Sequence, residues 1–560
     1  MLKDEVIKIL HSVGIRTSKE VLEVPPQEIF GDIAFPCFGL AKQEHKNPQE
    51  IAGELVNRIR ISKNPLIIKT EARGGYVNFF FYWEKVGEKI LSQILSRRKI
   101  NIGNRKKIMI EYSQPNPVHP MHIGHARGTF LGDALANIYD YLGYRTIRAN
   151  YMNDIGLQVA RLVAAYKLWA ENKKPKGKPD FWLWQYYVKF HEELSKNAKL
   201  DEKARELLRK FELERNKATI KIWNKIVKWC VQGFNESYRN LGIKFHVYFY
   251  ENEFREAGKS LVDKALNNEI AFRSPENAIV ANLEKYGLPN CILLRSDGTG
   301  LYITSDLGLT FKKFQKYQLD KSVWAVSSQQ NLHFKQLFKI LELLDYKFVK
   351  DCEHFSFEHV NLPEGKMSSR EGKAVMLDEV ITSLTKQALE EVEKRNPRLS
   401  KQKKLGIAKK IAVGALKYSI LKIEPENSIT FDWKQMLSFE GNTGPYLQYA
   451  HTRCLGILKK AKKHQIVLFS KLSLHEKQLI KVLMNFDDVL LDSAKNYRPN
   501  FICNYAYEIA TAFSNFYQNC PVLKANDKKQ RDFRLTLVMT TKIVLENSLK
   551  LLGIKVPERM

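Results

Sequence analysis

The chain has 560 residues, 44% of them hydrophobic, with 30 Phe and 24 Tyr, which excludes a disordered polymer and exceeds one hydrophobic core, so three or four domains are expected. Its net charge of +29, from 90 Lys and Arg against 61 Asp and Glu, must sit on a folded surface; an anionic partner and a generally lysine-rich background both account for it. Seven dispersed cysteines without a C-x-x-C pair, and no apolar run of 18 residues, argue against disulfide frameworks, zinc ribbons and membrane spans, so an intracellular, reducing setting is expected.

Residues 1–98 read as a small α/β unit with a first helix, the turn-rich GDIAFPCFGLAK, a helix from Asn47 to Ile61 and strand-like residues in GGYVNFFFYW. The polar, basic RRKINIGNRKK then marks a boundary. IMIEY, from Ile108, is a predicted strand, and a loop with Pro115, Pro117 and Pro120 follows. Next, Leu131, Leu135, Ile138 and Leu142 step along one helical face until Gly143 ends it before the strand YRTIRANY. This is a βαβ unit. A second occupies 321–361: KSVWAVSS, a helix carrying Leu337, Ile340, Leu341 and Leu344, then HFSFEHV. The insertion between them, roughly 160–250, reads as helical and basic, with KARELLRKFELERNKATIKIWNKIVKWC as its strongest helix. Two such units predict an α/β, Rossmann-type parallel sheet interrupted by an insertion. Beyond about Asp378 helical patterns dominate to the last residue.

A Walker-type phosphate loop is absent: Gly258-Lys259-Ser260 ends like one, but Glu253 stands where its first glycine should be. His122-Ile123-Gly124-His125 is the alternative phosphate site, because it lies between a strand end and a helix start, where free N–H groups favour an anion and Gly124 allows close approach. Two imidazoles there can donate to charge growing on a phosphate. The same four residues can equally serve only to cap the helix; a zinc site with His119 lacks a completing carboxylate or cysteine. At 366–370 stands KMSSR, with Lys366, Arg370 and Lys373 as cations and Ser368 and Ser369 as donors, a loop able to close on a leaving pyrophosphate or simply a solvated basic turn. Cys352, His354 and His359 form a C-x-H-x4-H string on a predicted strand, where packing outweighs a zinc role.

H-x-G-H followed by K-M-S-x-x in a sheet of this design resembles the class I aminoacyl-tRNA synthetases. SQPNPVHPMHIGHARG, NYMNDIG, SDGTGLYITSDLG, SSQQNLHF, FEGNTGPYLQYAHTR and the ending LLGIKVPERM narrow the resemblance to the arginyl-tRNA synthetases. It implies an N-terminal tRNA-elbow-binding domain (1–98), a Rossmann catalytic domain with its insertion (99–378), a connecting helical region (379–437) and an all-α anticodon-binding domain (438–560). It implies ATP-dependent activation of L-arginine with Mg²⁺ and transfer to the terminal ribose of tRNA(Arg), by a cytoplasmic, membrane-free monomer whose activation step needs bound tRNA. The matching arginine-binding positions are Glu111, Gln114, Asn116, His125, Glu251, Tyr302, Asp306 and Gln330; a carboxylate such as Asp306 suits a guanidinium that a neutral pocket would reject. ATP falls to His122, Gly124, His125, Lys366, Met367, Ser368 and Ser369, with His122, His125, Lys366 and Arg370 catalytic and no protein-held metal. Tyr76, Asn78, Asn442, Tyr446 and Tyr449 are the implied tRNA contacts; Tyr505, Tyr507, Phe513 and Phe516 could also meet the anticodon stem-loop by stacking, but their helical spacing makes most of them core. Two departures stand out: Gln114 replaces the usual Ser of S-P-N, and Ser369 replaces the second lysine of K-M-S-K-S. The alternatives are a catalytically inactive tRNA-binding paralogue and a small-molecule nucleotidylyltransferase.

Overall fold

The computed structural model describes residues 1–59, 64–96, 100–361, 375–430, 436–461, 463–525 and 527–560. They form two compact units, one of 1–98, 453–487 and 508–545, the other of 99–452, 488–507 and 546–560.

In the first unit, β1 (Ile33–Pro36), β2 (Ile67–Arg73) and β3 (Tyr76–Phe81) make an antiparallel sheet in the order β1-β3-β2. Gly74 and Gly75, both at positive φ, turn β2 into β3, and a Cβ on Gly75 would lie 3.0 Å from Phe38 and Pro48. The helix predicted from Asn47 runs over Pro48–Arg58: the Asn47 side chain caps it by accepting from the Gln49 N–H, and Ile59 is already extended. Asp32 ties the sheet to the next helix, Trp83–Leu95, by accepting from Trp83 Nε1 and the Phe81 N–H, each at 2.9 Å.

The second unit is built on five parallel strands. They are β4 (Lys107–Glu111), β5 (Arg145–Met152), β6 (Val247–Tyr250), β10 (Lys321–Ser327) and β11 (Cys352–Phe357), ordered β11-β10-β4-β5-β6. Strands covered on both faces need apolar runs rather than alternation, which IMI in β4 and VWA in β10 supply, every one of them buried. The chain moves outward one way from β4 to β6 and then restarts beside β4 at β10, so the order reverses between β4 and β10. In open parallel sheets, ligands bind outside the strand ends at that reversal. Helix Ile123–Tyr141 returns from β4 to β5, lying so close to the sheet that a Cβ on Gly132 would be 2.3 Å from Tyr112.

The insertion differs from expectation in two ways. Its strongest predicted helix is two, Lys199–Glu212 and Lys217–Leu241, because Arg215 takes a left-handed φ of 50° and the Asn216 side chain caps the second by accepting from the Thr219 N–H. Its helices also end at Leu241, where Gly242 at φ 73° closes the last turn; VYFY then rejoins the main sheet as β6. A small antiparallel sheet of β7 (Ala271–Arg273), β8 (Ile279–Ala281) and β9 (Cys291–Leu294) precedes β10 and was not foreseen. Gly258-Lys259-Ser260 lies inside helix Arg255–Asn267, and its glycine has a packing reason: a Cβ there would sit 1.9 Å from the Thr304 carbonyl oxygen. Gly308 is pressed in the same way against residues 254–258, so helices Arg255–Asn267 and Tyr302–Tyr317 cross backbone to backbone.

A short parallel pair, β12 (Val360–Asn361) with β13 (Ile429–Thr430), follows β11. From Leu377 on, the described residues are almost entirely helical, through Leu377–Arg395, Lys401–Leu421, Gly444–Ala461, Leu474–Leu483, Phe486–Lys495, Pro499–Asn519 and Lys528–Leu551. No helix among the described residues is long and apolar enough to cross a membrane.

Candidate active site

The turn leaving β4 is strained, and its neighbours hold it. Ser113 and Gln114 have φ of 82° and 51°, conformations that cost a non-glycine residue free energy. Asn150, on β5, accepts from the Gln114 N–H at 3.1 Å and donates to Tyr238 OH at 3.0 Å; Ser113 Oγ bonds both Tyr238 OH and Thr129 Oγ1. The Gln114 side chain donates to Glu111 Oε1 at 3.0 Å, so the residue that departs from the usual serine has a definite bond of its own. Asn116 is exposed on the same loop.

The histidine pair opens the helix that begins at Ile123. His122 Nδ1 accepts from the Gly124 N–H and His125 Nδ1 from the His122 N–H, both at 3.1 Å, a reciprocal capping box made of two imidazoles. A ring nitrogen that accepts carries no proton, so each neutral ring bears its proton on Nε2 and is a donor there. Burial and the neighbouring rings push the His122 imidazole down to about 3 and His125 well below its ordinary value, so both are neutral. Their centroids are 3.9 Å apart. His119, expected only to line the turn, is buried against both at 5.5 and 5.7 Å, with Nδ1 bonded to the Pro120 carbonyl at 2.9 Å.

A cavity of about 430 Å³ opens at this helix start, of a size suited to a small-molecule ligand. His122, Gly124, His125 and Gly128 form one wall, Gln114 and Ser113 another, and Ser327, Gln329 and Asn361 the strand-end side. Lys366, Met367, Ser368, Ser369, Arg370 and Lys373 lie outside the described residues. Both flanks of their segment are at this cavity: Asn361 lines it, and Met376 bridges His122, with the Ile123 N–H donating to the Val375 carbonyl and the Leu377 N–H to that of Met121.

Beside the cavity is a pocket of carboxylates at the ends of β4, β5 and β6. Glu111 is buried and paired with Lys313, itself buried under the rings of Trp324 and Phe249. Asp154, accepting from the Asn252 N–H, is pushed up to about 6, chiefly by burial. Glu251 is pushed up to about 8 by burial and then by the Asp306 charge, with Arg255 opposing. Asp306 faces the same pocket and pairs with His333 Nε2 at 2.7 Å, while Tyr302, one helical turn earlier, is exposed. Gln330 sits at the start of helix Asn331–Leu343, next to Gln329 of the cavity wall. Buried carboxyls raised by desolvation and by one another favour a cation among them.

Gln114 belongs to both regions, lining the cavity and bonding Glu111, so one side chain links the histidine cavity to the cluster of carboxylates. Sequence reasoning had not assigned roles to Arg127, Asp154, Lys313 and His333. NYMNDIG and SSQQNLHF contained two of them, but pairing across strands that are distant in the chain carries no local signal. Arg127 is buried and donates to the carbonyls of His359, Glu424 and Pro425, fastening the signature helix to the residues around β12 and β13. Replacing Lys313 by Met is expected to destabilise the fold by about 3–5 kcal/mol, since it strands a buried carboxylate, and adding Glu111→Gln should recover most of that loss in a urea titration.

The proposed tRNA contacts lie elsewhere. Tyr76 is half-buried edge-on against Phe38 at 5.1 Å, but Asn78 is buried within β3, which removes its side chain as a surface contact. Asn442 accepts from Tyr418 OH; Tyr446 meets Tyr507 at 5.9 Å; Tyr449 is half-buried. Tyr505, Phe513 and Phe516 are core residues, as their spacing suggested. His354 stacks on Phe334 and bonds the Val326 carbonyl, and Cys352 faces the Phe348 carbonyl.

Comparison with known proteins places the whole chain in one family. The family described as "tRNA synthetases class I (R), catalytic domain" matches residues 88–433, "Arginyl tRNA synthetase N terminal domain" matches 1–81, and "DALR anticodon binding domain" matches 447–560. The chain is 35% identical to the arginine–tRNA ligase of Halothermothrix orenii, over 100% of this chain and 99% of that one. It is 36% identical to the arginine–tRNA ligase of Clostridioides difficile, over 96% and 95%. Among solved structures, the Thermus thermophilus arginyl-tRNA synthetase superposes with a TM-score of 0.83 at 28% identity, covering 100% of this chain and 99% of that chain.

Proposed function

The chain belongs to the class I arginyl-tRNA synthetases and is an arginine–tRNA ligase that uses ATP, and from that premise we propose how its residues divide the reaction. The arginine carboxylate attacks the α-phosphate of ATP, pyrophosphate leaves, and a terminal ribose hydroxyl of tRNA(Arg) then displaces AMP from the arginyl-adenylate. His122 and His125 donate from Nε2 to phosphate oxygens as charge builds on them, and Gly124 lets the phosphates approach the helix start. Lys366, Met367, Ser368, Ser369 and Arg370 act on the departing pyrophosphate, a role supported by the position of both flanks of their segment. Asp306 takes the guanidinium, Tyr302 and Gln330 border it, Asn116 and Glu251 complete the polar contacts, and buried Glu111 acts through Gln114.

The observation that supports this division best is the double membership of Gln114, which joins a cavity walled by neutral imidazoles to a pocket crowded with carboxylates. ATP and a doubly cationic amino acid need those two environments side by side. Mg²⁺ is placed on the triphosphate that brings it, since the ion keeps most of its waters and is held mainly by substrate phosphates in such sites. A requirement for bound tRNA in the activation step belongs to the same reading, as do tRNA contacts by Tyr76, Asn442, Tyr446 and Tyr449, action as a cytoplasmic monomer, and segments divided at 98, 378 and 437. Seven free cysteines fit a reducing compartment. An inactive paralogue or a nucleotidylyltransferase is not favoured beside full-length relatives named as arginine–tRNA ligases.

The test is aminoacylation with purified tRNA: arginine should be charged and other amino acids refused, and acceptance of another in its place would sink the assignment. The acid pocket adds a pH signature. Glu251, near 8 in the free protein, is driven to its ionised form when a cation binds beside it, so arginine binding should release protons near neutral pH and tighten as pH rises through that value. Calorimetry in buffers of different ionisation enthalpy reads the release, which Glu251→Gln should abolish.

A further inference from the structure

We propose that His333 is a positioning residue for amino-acid selection, holding the Asp306 carboxylate in the plane in which it meets a guanidinium. The inference rests on the assignment of Asp306 to that group.

The argument starts from the helix Tyr302–Tyr317. Its backbone is fixed twice, by the glycine crossing at Gly258 and Gly308 and by Lys313, two turns beyond Asp306, bonded into Glu111. Neither restraint reaches the Asp306 side chain, which keeps its own torsions and is about one-fifth exposed. Other carboxyls crowd it, for Asp306 is among the causes that raise Glu251 and Glu111, while the nearby cations Lys313 and Arg255 are engaged by Glu111 and Glu212. A carboxylate repelled from within the pocket and open to water on another side turns outward unless something holds it.

His333 Nε2, 2.7 Å from Asp306 Oδ2, is placed to do so. It stands in the first turn of helix Asn331–Leu343, and that turn is itself held, because the adjacent Phe334 stacks on His354 at 4.2 Å and is buried in the core around Trp324 and Leu337. The hydrogen bond to Oδ2 restrains the plane of the carboxylate and leaves Oδ1 for the substrate. A guanidinium donates from a rigid planar fork, so the plane of its acceptor decides whether the bonds form, and a neutral urea of the same shape gains nothing from a charge held there.

The experiment is steady-state aminoacylation by the full chain with tRNA, varying arginine and ATP separately, for His333→Ala, His333→Gln and Asp306→Asn. His333→Ala should raise the KM for arginine about tenfold or more with the KM for ATP within about twofold, and should weaken discrimination against citrulline, the neutral isostere. His333→Gln, whose amide can donate from nearly the same place, should recover most of the loss. Equal rises in both KM values, an unchanged arginine KM, or failure of the glutamine variant to recover would overturn the proposal. If Asp306→Asn impairs arginine use while His333→Ala does not, only the role of His333 fails; if Asp306→Asn leaves arginine use intact, the guanidinium assignment fails with it.

Discussion

His122→Asn is expected to leave the helix that begins at Ile123 as well capped as before and to slow arginyl-adenylate formation about 10²–10³-fold. The imidazole has two jobs on two different atoms. Nδ1 accepts from the Gly124 N–H, which an asparagine carbonyl oxygen can also do, since Asn is among the best N-caps. Nε2–H is the donor toward the cavity, and asparagine has no atom that reaches as far. A histidine that only caps would therefore be replaced without loss, while one that also stabilises phosphate charge would not. Pyrophosphate exchange in the presence of tRNA gives the rate and a thermal melt gives the capping; a variant that melts normally and exchanges at the wild-type rate would remove His122 from the chemistry. His125→Asn extends the test, because its Nδ1 accepts from the His122 N–H in the same way. Both rings are neutral well below physiological pH, so neither should add a titration limb to the free-enzyme profile near neutrality.

The scaffold was legible because β4 and β10, buried on both faces, carry apolar runs, and the helix after β4 announces its end through Gly143. The errors have local physical causes. The insertion's long helix broke at Arg215-Asn216, where one left-handed residue followed by a good N-cap starts a new helix inside an otherwise continuous pattern. VYFY was assigned to the insertion because four residues carry too little periodicity to separate a strand from a helix end.

The candidate site was legible in its histidines and carboxylates, which the fold brings to neighbouring strand ends, and not in their pairing. Glu111, Asp306 and Glu251 could be named from strand-end positions and resemblance, but Lys313 and His333, which decide how two of those carboxylates are held, are set by the register of β4 on β10 and by one helix crossing. Asn78 shows the converse: resemblance named it as a tRNA contact, and its side chain is buried within β3, in a segment apolar on both faces.

The second large effect concerns Asp306→Asn, which should lower kcat/KM for arginine about 10²–10³-fold while changing the KM for ATP no more than about threefold. The substitution keeps the shape of the side chain and an oxygen able to accept from His333 Nε2, so the local structure survives and only the charge is lost. What remains is a guanidinium facing a neutral amide, in a pocket whose other carboxylates are either paired, as Glu111 is with Lys313, or raised toward protonation, as Glu251 and Asp154 are. Removing the Asp306 charge relieves part of the repulsion on Glu251, whose carboxyl should then titrate below its present value of about 8. The proton release that accompanies arginine binding near neutral pH should shrink accordingly. A thermal melt separates charge loss from misfolding, since a pocket opened to water would also lower the Glu251 titration by relieving its burial, and equal losses toward arginine and ATP would show that Asp306 does not read the guanidinium.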